Sequence, residues 1–353
     1  MQNRTDVAAA YILRGAQQSC IGTLFHSGPT STFFDAFANS ERFLRTSLPG
    51  VRKAAVVVLT TGALLTVSPL AAPAHAVPVP PIASKGAILV NNATGTAVYT
   101  KTPDTRRQMA STTKIMTAAV VVHTKGINLN HVVTVKQSYR DYVVRQGAST
   151  ADLKTGDKVT VRQLLYGTML PSGCDAAYAL ADLLGKGTTQ AARTQSFIAK
   201  MNQTATSLGL KNTKFDSFDG ISKAGNNYTT PRDLAKIASY AMKNGNFRAV
   251  VAAPKYVTSA TTSTGGKRTY TWYNTNQLLG SYKGAIGIKT GTGTAAGPCL
   301  VFAATRGDKT FVGVTLNGAD RYKDAAKLLD FGFGSSTAQT MQLRSLPQGA
   351  ERD

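Results

Sequence analysis

Hydrophobic and polar residues alternate near both ends of the chain, and apolar residues follow a helical period in its middle third. The apolar segments 86–90 and 97–100 flank the polar turn 91–95, so they are predicted to form an edge hairpin of a sheet. Further strand signals occur at 256–258, 269–272, 285–288, 300–303 and 311–314. This spacing predicts one sheet built from segments far apart in sequence.

The region 111–243 is predicted to be mainly helical. The apolar run 112–123 is followed by a glycine stop, and Thr160 opens a capping box before a helical face that ends at Pro171. The run 175–184 resumes a helix, Thr230 caps another that reaches about Lys243, and 324–331 is predicted to close the fold.

Strands at both ends with helices between them predict an α/β (α+β) fold. Its antiparallel sheet would be flanked by helices, with an inserted all-helical subdomain packed beside it.

The segment 54–67 is a short apolar run preceded by two basic residues and followed by Ala-His-Ala at 74–76. This pattern predicts a secretory signal over 51–76, cut after Ala76, with a buried core helix as the alternative. Residues 1–50 are expected to be a spurious extension, with translation beginning near Val51.

The chain has 40 basic and 18 acidic residues and a formal charge of +22. Residues 77–353 carry 34 of the basic and 15 of the acidic residues, which gives this part of the chain a charge of +19. This positive charge indicates an anionic partner. A wall polymer or a membrane face is expected and not a nucleic acid, because the basic residues are scattered and not interleaved with aromatics as in nucleic-acid-binding proteins. Export would place the mature protein outside the cell, free, at the cell wall or at the outer face of the cytoplasmic membrane. Its two cysteines, Cys174 and Cys299, could form one bridge or remain free.

Three short motifs carry the candidate chemistry. Ser111 lies three residues before Lys114, Ser172 follows a predicted helix, and Lys289-Thr290-Gly291 ends a strand signal. Each motif alone is common, and a second Lys-Thr-Gly occurs at 154–156. Their order and context together indicate an acyl-transfer enzyme that uses a lysine as its base.

Residues three apart share a helix face, so the Lys114 amine can reach the Ser111 hydroxyl and take its proton. That amine must be neutral, a form that burial and the nearby Lys289 ammonium favour. A Ser-His-Asp triad is disfavoured because only His123 and His131 follow the predicted signal. Nothing is spaced as a zinc site, so no cofactor is expected.

These motifs resemble the penicillin-binding low-molecular-weight DD-peptidases, serine D-Ala-D-Ala carboxypeptidases and transpeptidases, over about 83–333. The likeness is strongest to the small DD-transpeptidases of filamentous high-GC Gram-positive bacteria, which share the Ser-Gly-Cys form of the middle motif. It rests on the segments 111–114, 170–177, 215–220, 228–233 and 287–291. The resemblance implies a catalytic domain over 77–334, followed by a polar tail over 335–353.

The resemblance also implies residue roles. Ser111 would be the acyl-ester nucleophile, Lys114 its proton acceptor and Ser172 a proton shuttle. Lys289 and Thr290 would bind the substrate carboxylate. The backbone amides of Ser111 and Thr292 would form the oxyanion hole. Cys174 stands where most of the family has Asn, and because a thiol donates only weakly, substrate affinity and penicillin sensitivity are open.

The implied substrate is a peptidoglycan stem peptide ending in D-Ala-D-Ala, with β-lactams as covalent inhibitors. The sequence leaves two alternatives. A class A-like β-lactamase would need a catalytic glutamate, and the chain has only Glu41 and Glu351. A non-catalytic wall-binding module would explain the charge but not the ordered serines and lysines. Without the C-terminal domain and anchor of many relatives, the protein is expected to be released or held by charge.

Overall fold

The computed structural model describes residues 78–350, which lie within one compact unit, Ala72–Asp353. The predicted extension 1–50 and the predicted signal 51–76 therefore lie outside the described residues. Along the described part, no helix is long and apolar enough to cross a membrane.

The described chain forms eleven strands and eight α-helices. The strands are β1 (Gly86–Asn91), β2 (Ala97–Lys101), β3 (Arg107–Gln108), β4 (Val132–Thr134), β5 (Lys158–Thr160), β6 (Tyr228–Thr229), β7 (Lys255–Thr261), β8 (Lys267–Tyr273), β9 (Ala285–Gly291), β10 (Cys299–Arg306) and β11 (Lys309–Leu316). The helices are α1 (Lys114–Val122), α2 (Gln137–Gln146), α3 (Val161–Met169), α4 (Cys174–Leu184), α5 (Gln190–Ser207), α6 (Pro231–Met242), α7 (Gly245–Ala252) and α8 (Arg321–Phe333). Two short 3₁₀ turns cover Ala110–Thr113 and Thr337–Gln339.

The main sheet has the order β2-β1-β11-β10-β9, and all its neighbours are antiparallel. Because side chains alternate across a strand, Ile88 and Val314 face the core that holds α1 and α6. Leu89 and Phe302 face the opposite core, against α8. The predicted edge hairpin is confirmed as β1 and β2, and the predicted α/β class is confirmed.

One part of the predicted topology is wrong. Strands β7 and β8 do not join the main sheet but form a second sheet of order β4-β5-β7-β8. The physical reason lies in their buried face: the Tyr256 ring stacks on Tyr166 of α3 at 3.7 Å, and Trp272 Nε1 donates to the Ala151 carbonyl at 2.8 Å. The hairpin thus packs against the helical part, which also contains short strands.

The predicted N-terminal caps of two helices are confirmed. Thr160 makes the capping box of α3 with Gln163, and Thr230 caps α6 with Pro231 in the first turn. The helix predicted from residue 112 is instead a 3₁₀ turn that continues into α1 at Lys114. Helices α2 and α5 were not predicted, because their apolar positions are sparse among polar residues. Helix α7 was not predicted because it is only eight residues long and starts directly after the end of α6, where Asn244 caps it.

The polar tail packs on the domain in its described part. Arg344 donates to the backbone carbonyls of Asn274 and Asn276, and Met341 packs against the core beneath α8. Burial lowers the pKa of the Arg344 guanidinium. The tail is therefore in direct contact with the segment that connects β8 to β9.

Candidate active site

Ser111 and Lys114 lie at the junction of the 3₁₀ turn and α1. The turn places both side chains on one face, and Lys114 Nζ lies 3.0 Å from Ser111 Oγ. Lys114 is completely buried, whereas Ser111 is partly exposed. The hydroxyl therefore has a substrate-accessible side and a buried amine behind it.

The Lys114 amine has a second partner that sequence reasoning did not find. It donates to the backbone carbonyl of Asp219 at 2.9 Å, 105 positions along the chain. The side chain of Asp219 is also buried, and its carboxylate accepts from the Tyr142 hydroxyl at 2.8 Å. No local pattern marks this contact, because it depends on how the loop after α5 packs over α1.

Ser172 occupies the predicted loop between α3 and α4, in the left-handed region at φ +65°. Its side chain is buried, and within residues 78–350 its Oγ has no hydrogen-bond partner. Its backbone carbonyl accepts from Ser149 Oγ at 2.7 Å and lies 3.8 Å from the Cys174 sulfur. The serine is thus held behind the wall of the cleft by its backbone.

Cys174 is the first residue of α4 and is almost fully buried. Burial raises the pKa of its thiol to about 12; the Asp219 carboxylate adds to that rise and Lys114 opposes it. Cys174 and Cys299 are both free, so they do not form the bridge that the sequence left open. Cys299 is buried at the start of β10, close to the carbonyls of Ala296 and Gly297.

Lys289 and Thr290 end strand β9 beneath the cleft wall, and both are buried. Lys289 Nζ donates to the Thr290 carbonyl at 3.0 Å, and the Thr290 hydroxyl lies 2.6 Å from that of Thr275. A Cβ at Gly291 would come within 2.9 Å of the Ser111 amide nitrogen. Gly291 therefore lets the strand pass directly beside the Ser111 backbone.

Thr292 follows the strand and faces solvent. Its hydroxyl accepts from Arg321 Nη1 at 2.9 Å, and the same nitrogen donates to the Gly291 carbonyl at 3.1 Å. Arg321 opens α8 and is mostly buried. It was not predicted from sequence, because a single arginine 29 positions away carries no local signal.

A cleft of about 740 Å³ joins several of these parts. Ser111, Cys174 and Thr292 line it, whereas Ser172, Lys289 and Thr290 lie behind its walls. The rest of the lining comes from Gln108 and Ala110, from the end of α2 and its following loop, from the loop 220–225 and from 293–296.

The other candidates from the sequence lie elsewhere. Lys154, in the second Lys-Thr-Gly, lies in a turn before β5 and pairs with Asp152 at 2.7 Å. His123 stacks on Tyr240 at 4.1 Å, and His131 is exposed in a connector. Neither histidine lines the cleft. Among residues 78–350, no cluster of three or more His, Cys, Asp or Glu could hold a metal ion.

The fold and the site together define the class of serine DD-peptidases, in which a serine works beside a buried lysine and a Lys-Thr-Gly strand. Residues 73–320 match the sequence profile of the D-alanyl-D-alanine carboxypeptidase family. The chain belongs to this family, and the resemblance inferred from its motifs is confirmed.

Individual relatives agree with this assignment. The chain is 58% identical over 288 residues to the D-alanyl-D-alanine carboxypeptidase of Streptomyces strain K15, a match covering 80% of this chain and 99% of that protein. It is 32% identical over 268 residues to D-alanyl-D-alanine carboxypeptidase DacB2 of Mycobacterium tuberculosis, covering 74% and 86%. The crystal structure of the Streptomyces K15 DD-transpeptidase superposes with a TM-score of 0.72 at 59% identity, covering 73% of this chain and 100% of that one.

Proposed function

We propose that this D-alanyl-D-alanine carboxypeptidase acts on peptidoglycan stem peptides through an acyl-enzyme on Ser111. The observation that carries the assignment of the nucleophile is the 3.0 Å contact between Ser111 Oγ and the buried Lys114 Nζ. A serine hydroxyl is a poor nucleophile unless a base takes its proton, and the lysine is the group in position to do so.

In the acylation step, Ser111 Oγ attacks the carbonyl carbon of the penultimate D-Ala, and the hydroxyl proton moves to Lys114 Nζ. Negative charge develops on the carbonyl oxygen. The backbone amides of Ser111 and Thr292 would stabilise this charge, because Gly291 brings the end of β9 against the Ser111 backbone. The peptide bond then breaks and the acyl group remains on Ser111.

The leaving D-Ala amine needs a proton, which Ser172 would relay from Lys114. Its buried hydroxyl has no partner within the described residues and could take part in such a relay. The terminal carboxylate of the substrate would bind near Thr292, with Lys289 and Thr290 providing positive charge and a hydroxyl from behind the wall. Cys174 lines the same cleft and would contact the substrate.

Water or an amine then takes the acyl group from Ser111, giving hydrolysis or transfer, and β-lactams would acylate the same serine. The class A-like β-lactamase alternative uses a glutamate for deacylation, and no glutamate lies among residues 78–350. The wall-binding alternative gives no reason for a serine and a lysine in hydrogen-bond contact inside a cleft.

Mass spectrometry of the purified protein tests this assignment. After incubation with a diacyl-D-Ala-D-Ala peptide, we expect loss of D-Ala and an acyl adduct on the peptide that contains Ser111. Adding glycine as an acceptor should give a transfer product whose yield measures the partition between water and amine. Intact substrate and unlabelled Ser111 would reject the assignment in favour of a binding module.

The chain would act outside the cytoplasm, at the cell wall or at the outer face of the membrane. The predicted signal over 51–76 supports export, and the +19 charge of 77–353 favours contact with anionic wall polymers or lipid head groups. N-terminal sequencing of the protein secreted by a bacterial host should give a start at residue 77. Its binding to anionic polymer should weaken steeply with salt.

A further inference from the structure

A buried carboxylate lies beside the serine–lysine pair without a role in the acylation steps above. Asp219 is fully buried, its backbone carbonyl accepts from Lys114 Nζ at 2.9 Å, and its carboxylate accepts from the Tyr142 hydroxyl and from the Ile221 amide at 3.0 Å. Burying a charged group costs free energy unless the group is paired and hydrogen-bonded, so these contacts have to offset the cost of burying the Asp219 carboxylate.

The charge of the Asp219 carboxylate affects the pKa of two neighbouring side chains. After burial, the Asp219 charge is the next largest cause that raises the pKa of the Tyr142 hydroxyl. The Cys174 thiol lies close enough to both charges for Asp219 to raise its pKa and for Lys114 to lower it. Three titratable groups on the surrounding helices thus lie close to Asp219: Lys114 on α1, through the Asp219 carbonyl, Tyr142 on α2, through the carboxylate, and Cys174 on α4.

The loop that carries Asp219 is held rigidly against the nucleophile. Thr117 Oγ1 donates to the Phe218 carbonyl at 2.5 Å, and the Gly220 amide donates to Ser217 Oγ at 3.0 Å. Gly220 has φ +102°, and a Cβ there would lie 2.0 Å from the Ala110 carbonyl oxygen. The distance between the Asp219 carboxylate and the Lys114 amine is therefore set by packing and not by a flexible tip.

We propose that Asp219, held by Tyr142, is a positioning residue for acylation that acts through Lys114. Its carbonyl orients the amine, and its carboxylate supplies the opposite charge when Lys114 takes the Ser111 proton. The ammonium then forms near a fixed negative charge and not in isolation, which lowers the barrier. This inference rests on the proposed function, because it assumes that Ser111 and Lys114 carry out acylation.

The test compares rates of acylation by a labelled penicillin in matched variants. Asp219→Asn removes the charge at nearly constant shape. We expect acylation to slow by roughly 10–100-fold, at or below the lower end of the 10²–10⁴-fold range of a general base itself, because Asp219 acts through Lys114. Asp141→Asn makes the same chemical change on the exposed face of α2, where the carboxylate accepts from Gln137 Nε2, and should leave the rate unchanged. Tyr142→Phe should slow acylation by a smaller factor than Asp219→Asn.

The pH profile separates a charge effect from a structural one. Without the carboxylate an ammonium at Lys114 is less stable. The acid limb of the plot of acylation rate against pH should therefore move to lower pH in Asp219→Asn. A uniform loss of rate with an unmoved limb, or an unchanged rate, overturns the proposal. If Asp219→Asn does not fold, a wild-type rate in Tyr142→Phe overturns it. Acylation that persists in Ser111→Ala would instead reject the proposed function.

Discussion

Lys114 Nζ lies 3.0 Å from Ser111 Oγ although the two residues belong to different kinds of helix. Ser111 is in a 3₁₀ turn and Lys114 begins α1. In a 3₁₀ turn, side chains three positions apart are nearly eclipsed, so the tighter turn brings the amine directly over the hydroxyl. The spacing of these two residues is thus the local basis of the proposed acyl-transfer site.

Replacing the nucleophile tests this relationship most directly. Ser111→Ala should abolish covalent labelling by penicillin and leave the fold intact, because it removes one partly exposed hydroxyl. Gel fluorography with labelled penicillin measures the first effect and circular dichroism the second. Ser207→Ala, at an exposed helix end, is the control and should label normally. Labelling retained by Ser111→Ala would move the nucleophile elsewhere.

Removing the base should slow acylation without removing the nucleophile. For Lys114→Ala we expect a loss of about 10²–10⁴-fold, the usual contribution of a positioned general base. Stopped-flow acylation by a chromogenic β-lactam gives this rate. A near-normal rate would assign proton acceptance to another group.

The two Lys-Thr-Gly copies allow an internal comparison. Lys289→Ala should raise KM and slow acylation, because it removes positive charge from behind the carboxylate site. Lys154→Ala removes a half-exposed side chain that pairs with Asp152 in a remote turn, and it should change neither KM nor the acylation rate. Steady-state kinetics on a D-Ala-D-Ala peptide decide this. Equal behaviour of the two variants would show that the wrong tripeptide was chosen.

The state of Cys174 predicts slow thiol chemistry in the native protein. Because burial raises the pKa of this thiol to about 12, roughly one molecule in ten thousand is thiolate at pH 8. Thiol titration of the denatured, non-reduced chain from residue 77 onward should find two free thiols. In the native protein the Cys174 thiol should react far more slowly with the titrating reagent.

Once Cys174 is modified by a bulky reagent, acylation by penicillin should stop, and Cys174→Ser should escape the block. Continued acylation after modification confirmed by mass spectrometry would place Cys174 outside the substrate cleft.

Asp182 should make stability depend on pH in the acid range. Burial alone would raise the pKa of this carboxyl, but hydrogen bonds from Arg193, Lys136 and Tyr139 lower it overall. Its contribution is therefore fully present above the unfolded value near pH 4 and is lost as pH falls through the lower folded value.

Asp182→Asn should reduce the free energy of unfolding by about 1–3 kcal/mol at pH 7 and by less at pH 2–3. Urea unfolding at the two pH values measures this. Asp141→Asn, on the exposed face of α2, is the control and should change little. An equal loss for Asp182→Asn at both pH values would contradict the assignment.

Much of the fold could be predicted from short-range patterns. The capping box at Thr160, the cap at Thr230 and the edge hairpin β1–β2 depend on residues within a few positions of one another. Strands β7 and β8 were also located correctly, but their sheet was not. Alternation shows which residues of a strand are buried, and it does not say whether the main sheet or α3 covers them.

The sequence by itself determined which residues make up the proposed site: a serine three residues before a lysine, a second serine in a loop and a Lys-Thr-Gly strand. Only the tertiary structure decided what surrounds these residues. It placed Asp219 on Lys114 and Arg321 on Thr292, and it buried Lys289 behind the wall. Helical spacing and capping follow from backbone hydrogen bonds between near neighbours, whereas contacts 29 and 105 positions apart depend on how whole elements pack.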